Sequence, residues 1–131
     1  MENDVKSIFL AEGETHVLEA LRLLIGQQTE MTIVGEARSV ESLLVRVGRQ
    51  APNVILLDWN LPGLCPQRLI HTLRGCCPAT ILAALSVKPE DEQAVREHGL
   101  DGFISKQLPA ESFIAALNQI LSRPKGFKET Q

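Results

Sequence analysis

The fold is decided by residues 54–63, whose sequence is VILLDWNLPG. An unbroken apolar run ends on the carboxylate of Asp58, and a Pro-Gly turn follows at Pro62 and Gly63. Continuous Val, Ile and Leu without alternation is typical of a central parallel strand, because helices cover both of its faces. The Pro-Gly pair ends such a strand within a few residues. Asp58 is therefore predicted at the carboxyl end of a buried strand, where ligands bind in open α/β sheets.

Outward from this strand, strand-like and helix-like patterns alternate five times. Predicted strands cover 7–11, 31–35, 54–58, 80–85 and 103–105, and helical patterns follow them over 17–25, 40–47, 65–73, 89–97 and 109–121. Ser39 is a candidate N-cap for the second helix, and Gly99 a stop for the fourth. Such alternation favours right-handed βαβ units and one parallel sheet. We predict a flavodoxin-like (βα)5 three-layer α/β sandwich of strand order 2-1-3-4-5, with Glu12 and Asp58 facing each other at its switch point.

Length and composition indicate one globular domain. The chain has 131 residues, of which 44% are hydrophobic and 22% charged; we predict a domain over residues 1–124 and a disordered tail or linker stub over 125–131. The net charge of −3 comes without a basic stripe, which argues against direct nucleic-acid binding by this domain. The start of the chain is acidic and no apolar run approaches about 18 residues, so we expect no membrane association and a cytoplasmic location.

The cysteines do not indicate a disulfide framework or a metal site. Cys65, Cys76 and Cys77 form neither an even set nor a CxxC pair. We expect them to be reduced, as is usual in the cytosol.

Four features in the expected order resemble the receiver domain of two-component response regulators, over residues 6–122. They are the acidic Glu12 after the first strand, the strand-ending Asp58, the Leu61-Pro62-Gly63 turn, and the run GLDGFISK over 99–106. Residues 33–37, with the sequence IVGEA, look like the NarL/FixJ-type subgroup in particular.

The resemblance implies a chemistry for these residues. Asp58 would accept a phosphoryl group from a sensor histidine kinase or a phosphotransfer protein, and Lys106 would pair with the acceptor and then with the phosphoryl oxygens. Glu12, Asp58 and the main-chain carbonyl of Asn60 would hold Mg²⁺, which neutralises charge on the transferring group. The domain would then be a phosphoacceptor and not an enzyme, although one that can assist its own phosphorylation and dephosphorylation.

The chain departs from the family pattern at its acidic site. Receivers usually carry two adjacent acidic residues after the first strand, whereas this chain reads Glu12-Gly13. Gly13 brings no ligand, and Mg²⁺ binds weakly to sites with few carboxylates. We therefore predict weak Mg²⁺ binding at a partly degenerate acidic site.

A second departure concerns the switch that reports phosphorylation. Receivers place a Ser or Thr hydroxyl at the end of strand four, and counting back from Gly99 without gaps puts Ala84 at that position. Ser86 takes the role if the following loop is two residues shorter than usual. Phe103 matches the aromatic partner of the switch and, without a phenol hydroxyl, would signal through packing only.

Two functions of different classes follow. In the first, phosphorylation of Asp58 alters the face built from the fourth helix, fifth strand and fifth helix, through which the domain could also form a homodimer. In the alternative, a degenerate receiver uses the same face as a phosphorylation-independent protein-interaction module. The NarL/FixJ-like resemblance further implies transcription regulation, through a DNA-binding domain that would follow residue 131 in a longer protein. A stand-alone regulator is the alternative.

Overall fold

A computed structural model describes residues 4–48 and 50–123 of the chain. Strands and helices alternate in it. They are β1 (Lys6–Ala11), α1 (Thr15–Gly26), β2 (Met31–Ala37), α2 (Val40–Val47), β3 (Val54–Asp58), α3 (Pro66–Cys76), β4 (Ile81–Ser86), α4 (Asp91–Glu97), β5 (Gly102–Ser105) and α5 (Ala110–Leu121). The predicted tail at 125–131 lies outside the described residues, and the domain boundary at residue 124 stays a prediction.

The sheet has five parallel strands in the order β2-β1-β3-β4-β5, which confirms the predicted topology. All five residues of β3 are buried, as the unbroken apolar run predicted. Asp58 pairs with Leu85 of β4, and Ala11 of β1 pairs with Leu57. The carboxyl ends of β1, β3 and β4 therefore lie side by side at one edge of the sheet.

Helices cover both faces of the sheet, which confirms the three-layer sandwich. On one face, α1 and α5 bury their apolar stripes against β1, β3, β4 and β5; the α1 stripe consists of Leu18, Leu21 and Ile25. On the other face, residues of α2, α3 and α4 pack around Phe9, Ile55 and Leu57. The predicted cap of α2 is also present, because the Ser39 hydroxyl accepts a hydrogen bond of 3.1 Å from the amide of Ser42.

Several predicted element boundaries were wrong by a few residues; among them, the strand predicted over 31–35 continues to Ala37. The strand predicted over 80–85 runs from Ile81 to Ser86, since the carbonyl of Ser86 accepts a 2.8 Å bond from the amide of Lys106 and extends the ladder to β5. Helix α3 continues past residue 73 to Cys76. Helix α4 starts at Asp91 and not at Pro89, because Pro89 lies in the turn before the helix.

No helix among residues 4–48 and 50–123 is both long and apolar enough to cross a membrane. Cys65, Cys76 and Cys77 carry free thiols, as expected.

Candidate functional site

Three predicted site residues meet at the carboxyl edge of the sheet. Asp58 is the last residue of β3, Glu12 directly follows β1, and Lys106 directly follows β5. The side chains of Glu12 and Asp58 are 0% and 4% exposed, and that of Lys106 is 10% exposed. Burial of three ionisable groups is unfavourable unless they are paired, so their mutual contacts decide whether the site is stable.

The Asp58 carboxylate accepts three hydrogen bonds. Its Oδ1 atom lies 3.1 Å from the Lys106 Nζ atom and accepts a 2.9 Å bond from the amide of Asn60. Its Oδ2 atom accepts a longer bond, 3.2 Å, from the amide of Gly13. The turn after β3 thus returns its own backbone amide to the carboxylate that ends the strand, which fixes the orientation of the side chain.

Lys106 links the two carboxylates. Its Nζ atom donates to the Glu12 Oε2 atom and to the Asp58 Oδ1 atom, each at 3.1 Å. The Glu12 Oε2 atom also accepts a 3.1 Å bond from the amide of Glu14. The Glu12 Oε1 atom is buried and has no hydrogen-bond partner in the part of the chain that the structure describes. A buried acceptor without a partner is costly, and it leaves one oxygen available to a proton or a cation.

The two carboxyl groups have pKa values shifted in opposite directions. Burial, followed by the negative charge of Asp58, raises the pKa of Glu12 from 4.5 to about 7, and the contacts with Lys106 only partly offset this. Burial alone would also raise the pKa of Asp58, but the amide of Asn60, the charge and hydrogen bond of Lys106, and the amide of Gly13 together lower it. Near neutral pH the Asp58 carboxylate is therefore ionised, whereas Glu12 is present in both its protonated and its ionised form.

Gly13 occupies the position at which receivers carry a second acidic residue, and its surroundings leave no room for a side chain. A Cβ atom placed on Gly13 would lie 2.9 Å from the Cδ atom of Pro62, closer than real Cβ atoms approach. The backbone amide of Gly13 also donates to the Asp58 carboxylate. The missing carboxylate is thus accompanied by tight packing of the β1–α1 loop against the Pro62 turn.

The donor set is small for a metal. No group of three or more His, Cys, Asp or Glu side chains within the described ranges 4–48 and 50–123 could hold a metal ion. Two carboxylates and a main-chain carbonyl still suit Mg²⁺, which commonly binds one or two carboxylates and keeps several waters. The unpartnered Glu12 Oε1 atom fits such an ion. Receiver domains generally bind Mg²⁺ at this acidic site.

The two candidate switch residues lie at different positions along β4, and both are buried. Ser86 is the last residue of β4, at the same edge as Asp58, and α4 begins only five residues later at Asp91. Ala84 lies two residues further into the strand, fully buried and paired with Phe103 of β5. Phe103 is partly buried and lines a cleft of about 740 Å³ between α4, β5 and α5.

Two contacts at the site could not be predicted from the sequence. The Ser86 hydroxyl donates a 2.6 Å bond to the Asp91 Oδ2 atom, and the Arg38 guanidinium donates to the carbonyl of Gly13 at 2.9 Å and to the hydroxyl of Thr15 at 2.6 Å. The acidic residues in the first turn of α4 were a signal for the first contact. No signal in the sequence pointed to the second contact, since it depends on how two loops pack.

Comparisons with known proteins agree with this geometry. The family model described as the response regulator receiver domain matches residues 8–118. The nitrate/nitrite response regulator protein NarL of Escherichia coli is 28% identical over 115 residues, covering 86% of this chain and 53% of that protein. The transcriptional regulatory protein DesR of Bacillus subtilis is 24% identical over 116 residues, covering 88% of this chain and 58% of that protein. The chain thus spans little more than half the length of these curated relatives.

Solved structures show the same fold. A two-component response regulator of the LuxR family from Aurantimonas sp. SI85-9A1 superposes with a TM-score of 0.80 at 20% identity, covering 92% of this chain and 88% of that one. The isolated receiver domain of RcsB from Salmonella enterica superposes with a TM-score of 0.78 at 21% identity, covering 92% and 91%. The family match covers most of the chain, and receiver domains are generally signalling proteins rather than enzymes. This chain belongs to the response regulator receiver domain family and is a receiver domain of two-component signalling.

Proposed function

We propose that Asp58 is the phosphoacceptor of this receiver domain and takes a phosphoryl group from a sensor histidine kinase or a phosphotransfer protein. The observation that carries the proposal is the Lys106 ammonium, which bridges Asp58 and Glu12 at 3.1 Å to each. Such a cation holds the nucleophile ionised before the reaction and lies beside the phosphoryl oxygens after it.

The reaction is an in-line displacement at phosphorus. An Asp58 oxygen forms the new P–O bond while the P–N bond to the donor histidine breaks, and the electron pair of that bond leaves with the imidazole. Positioning and charge neutralisation supply most of the catalysis in phosphoryl transfer. The lowered pKa of Asp58 keeps the carboxylate ionised. Its Oδ2 atom, which accepts only the 3.2 Å bond from Gly13, is the less strongly bonded oxygen and hence the better nucleophile.

Mg²⁺ fits the same site, held by Glu12, Asp58 and the main-chain carbonyl of Asn60. When bound, it supplies positive charge that stabilises the transferring phosphoryl group. Glu12 must lose its proton to act as a ligand, and Gly13 contributes no carboxylate. Both features support weak binding, as the sequence predicted.

Ser86 is the switch residue in this proposal. It is supported by the position of Ser86 at the end of β4, beside the end of β3, and by the four-residue connection from Val87 to Glu90 that precedes α4. Ala84 lacks a hydroxyl and pairs with Phe103 inside the sheet. Phe103 then transmits the change through packing at the cleft between α4 and α5.

The output surface is the face of α4, β5 and α5. Its cleft is lined by side chains of both charges, among them Arg74, Arg96, Glu92 and Asp101. A face of mixed charge can pair with a second copy of itself, which supports homodimerisation upon phosphorylation. In a longer protein, this face would control a DNA-binding domain, and the partner kinase would act in the cytoplasm.

Two observations favour a second function, a phosphorylation-independent interaction module. The acidic site lacks a carboxylate at Gly13, and the pKa of Glu12 of about 7 leaves that side chain partly protonated at neutral pH. If this weakens metal binding enough to prevent phosphoryl transfer, the same α4–β5–α5 face would act without modification.

Intact-mass measurement with acetyl phosphate decides between the two functions. The wild-type chain and the variants Asp58→Asn and Asp101→Asn are incubated with the donor, with and without Mg²⁺. We expect one phosphoryl adduct in wild type and in Asp101→Asn, dependent on Mg²⁺, and none in Asp58→Asn. A folded wild-type chain without any adduct at high Mg²⁺ would favour the interaction module.

A further inference from the structure

The hydroxyl of Ser86 already donates its proton to a neighbouring carboxylate in this structure. Ser86 is completely buried, its Oγ atom donates to the Asp91 Oδ2 atom at 2.6 Å, and the same atom accepts a 3.0 Å bond from the amide of Lys88. A distance of 2.6 Å is typical of a charge-assisted hydrogen bond between a hydroxyl and a carboxylate. A hydroxyl has only one proton to donate. While Ser86 donates to Asp91, it cannot donate to a group on Asp58.

The short connection between β4 and α4 produces this contact. The carbonyl of Lys88 accepts a 3.0 Å bond from the amide of Asp91, and this turn starts α4 directly beside the end of the strand. Asp91 is the first residue of α4 and is partly buried. Its negative charge is also favourable at a helix N-terminus. The carboxylate therefore connects the end of β4 to the start of α4 through one strong hydrogen bond.

We propose that Asp91 is a positioning residue that holds the Ser86 hydroxyl away from the phosphorylation site, and that a phosphoryl group on Asp58 competes with Asp91 for the Ser86 proton. We call this contact the Ser86–Asp91 latch. The proposal rests on the proposed roles of Asp58 and Ser86. It adds Asp91 as a regulatory residue. The hydrogen bond between Asp91 and Ser86 stabilises the unphosphorylated state and so opposes phosphorylation, and loss of this bond releases the start of α4.

The latch makes a thermodynamic prediction. A ligand shifts a conformational equilibrium only by its different affinity for the two states, so a bond present only in the unphosphorylated state reduces the apparent affinity for a phosphoryl group. Removal of the Asp91 carboxylate should therefore strengthen binding of a phosphoryl mimic. We expect a gain of about tenfold, which corresponds to about 1.4 kcal/mol.

The experiment measures beryllofluoride affinity at saturating Mg²⁺. Trp59, the one tryptophan of the sequence, follows Asp58 directly and serves as the fluorescence reporter. The variants are Asp91→Ala, the isosteric Asp91→Asn, and Glu90→Ala as the matched control, an exposed carboxylate directly before α4. We expect about tenfold tighter binding for Asp91→Ala, a smaller gain for Asp91→Asn, and a change below twofold for Glu90→Ala.

The same variants in a Ser86→Ala background separate the latch from a general loosening of α4. Because the latch acts only through the Ser86 hydroxyl, Asp91→Ala should change the affinity by less than twofold in that background. If Asp91→Ala still raises the beryllofluoride affinity in the Ser86→Ala background, the proposal is overturned. It is also overturned if Asp91→Ala alone binds beryllofluoride with the same affinity as wild type. If neither wild type nor any variant binds beryllofluoride, the assignment of Asp58 as phosphoacceptor is wrong, and the proposed competition for the Ser86 proton is wrong with it.

Hydrogen exchange tests the contact without any phosphoryl mimic. We expect Ser86→Ala and Asp91→Ala each to speed amide exchange in a peptide covering residues 87–97, and the double variant to add nothing further. Additive effects of the two substitutions would contradict the latch, because residues that share one hydrogen bond are not independent.

Discussion

The two halves of the site differ in where their side chains find partners. In the acidic half, Glu12, Asp58 and Lys106 come from three strands and contact one another through the Lys106 ammonium. In the switch half, the Ser86 hydroxyl donates its hydrogen bond to Asp91, only five residues away along the chain. The nucleophile is thus positioned before the reaction, whereas Ser86, the residue that would respond to the reaction, is hydrogen-bonded to the start of α4. This difference is what a switch requires, since the response must be absent until the phosphoryl group arrives.

Removal of the shared cation should have the largest effect. Lys106→Met leaves two buried carboxyl groups facing each other, and breaking a buried ion pair by removing one partner costs about 4 kcal/mol. We expect urea denaturation at pH 8 to show a loss of this order, and a smaller loss at pH 5.5, where Glu12 is protonated. The exposed Lys88→Met is the control and should stay within about 0.5 kcal/mol of wild type. Equal effects of the two variants would contradict the central role of Lys106.

The next largest effect concerns Glu12 and pH. Since its pKa is raised from 4.5 to about 7, the folded state binds more protons than the unfolded state within this window, and the stability of wild type falls as pH rises through it. Glu12→Gln removes the titration. Relative to wild type it should be nearly neutral at pH 4.5 and stabilising by on the order of 3 kcal/mol at pH 8.

Urea denaturation in the presence of EDTA measures this difference at both pH values. Glu111→Gln, which replaces an exposed glutamate at the start of α5, is the matched control. A Glu12→Gln variant whose stability parallels that of wild type at every pH would show that burial does not hold a proton on Glu12.

A third prediction tests the packing that replaces the missing carboxylate. Gly13→Ala places a Cβ atom against Pro62 and should cost about 2 kcal/mol, as overpacking usually does. Gly48→Ala is the control, since no atom of the residues described by the structure, chain neighbours aside, lies within 4 Å of the added atom. Thermal unfolding compares the two variants. Recovery of stability in Gly13→Ala combined with Pro62→Ala would support the contact, and a neutral Gly13→Ala would refute it.

The smallest predicted effect distinguishes the two candidate switch positions. Ala84→Ser buries a hydroxyl inside the sheet and should cost about 1 kcal/mol of stability, without changing beryllofluoride affinity. Ser86→Ala should weaken that affinity, because it removes the hydroxyl that would contact the phosphoryl mimic. Weaker binding in Ser86→Ala alone supports Ser86; a gain in Ala84→Ser would return the role to Ala84.

Much of the fold followed from patterns within single segments. The unbroken apolar run before Asp58 predicted a central strand, and the helical pattern over 17–25 predicted α1. Alternation of strands and helices then favoured one parallel sheet, and five such units suited the order 2-1-3-4-5. These signals are local, so they can be read without knowledge of tertiary contacts.

The parts that could not be predicted depend on contacts between segments. The end of β4 is set by its pairing with β5, which extends to Ser86 and Ser105. The count without gaps assumed a loop of the usual length after β4 and favoured Ala84, although Ser86 ends the strand. The clash that a side chain at Gly13 would have with Pro62 depends equally on how two distant loops approach. Glu12 and Asp58 were predicted to meet, whereas the ammonium contact that they share depends on how the ends of β1, β3 and β5 come together.

The most direct test of the account is to locate the phosphoryl group on the chain. After incubation with acetyl phosphate and Mg²⁺, borohydride reduction converts an aspartyl phosphate to homoserine, and tandem mass spectrometry of the proteolysed protein identifies the residue. We expect conversion at Asp58 and at no other carboxylate, with loss of the signal in Lys106→Met. Conversion at another acidic residue, or none in a folded wild-type chain, would contradict the assignment of Asp58 as the phosphoacceptor.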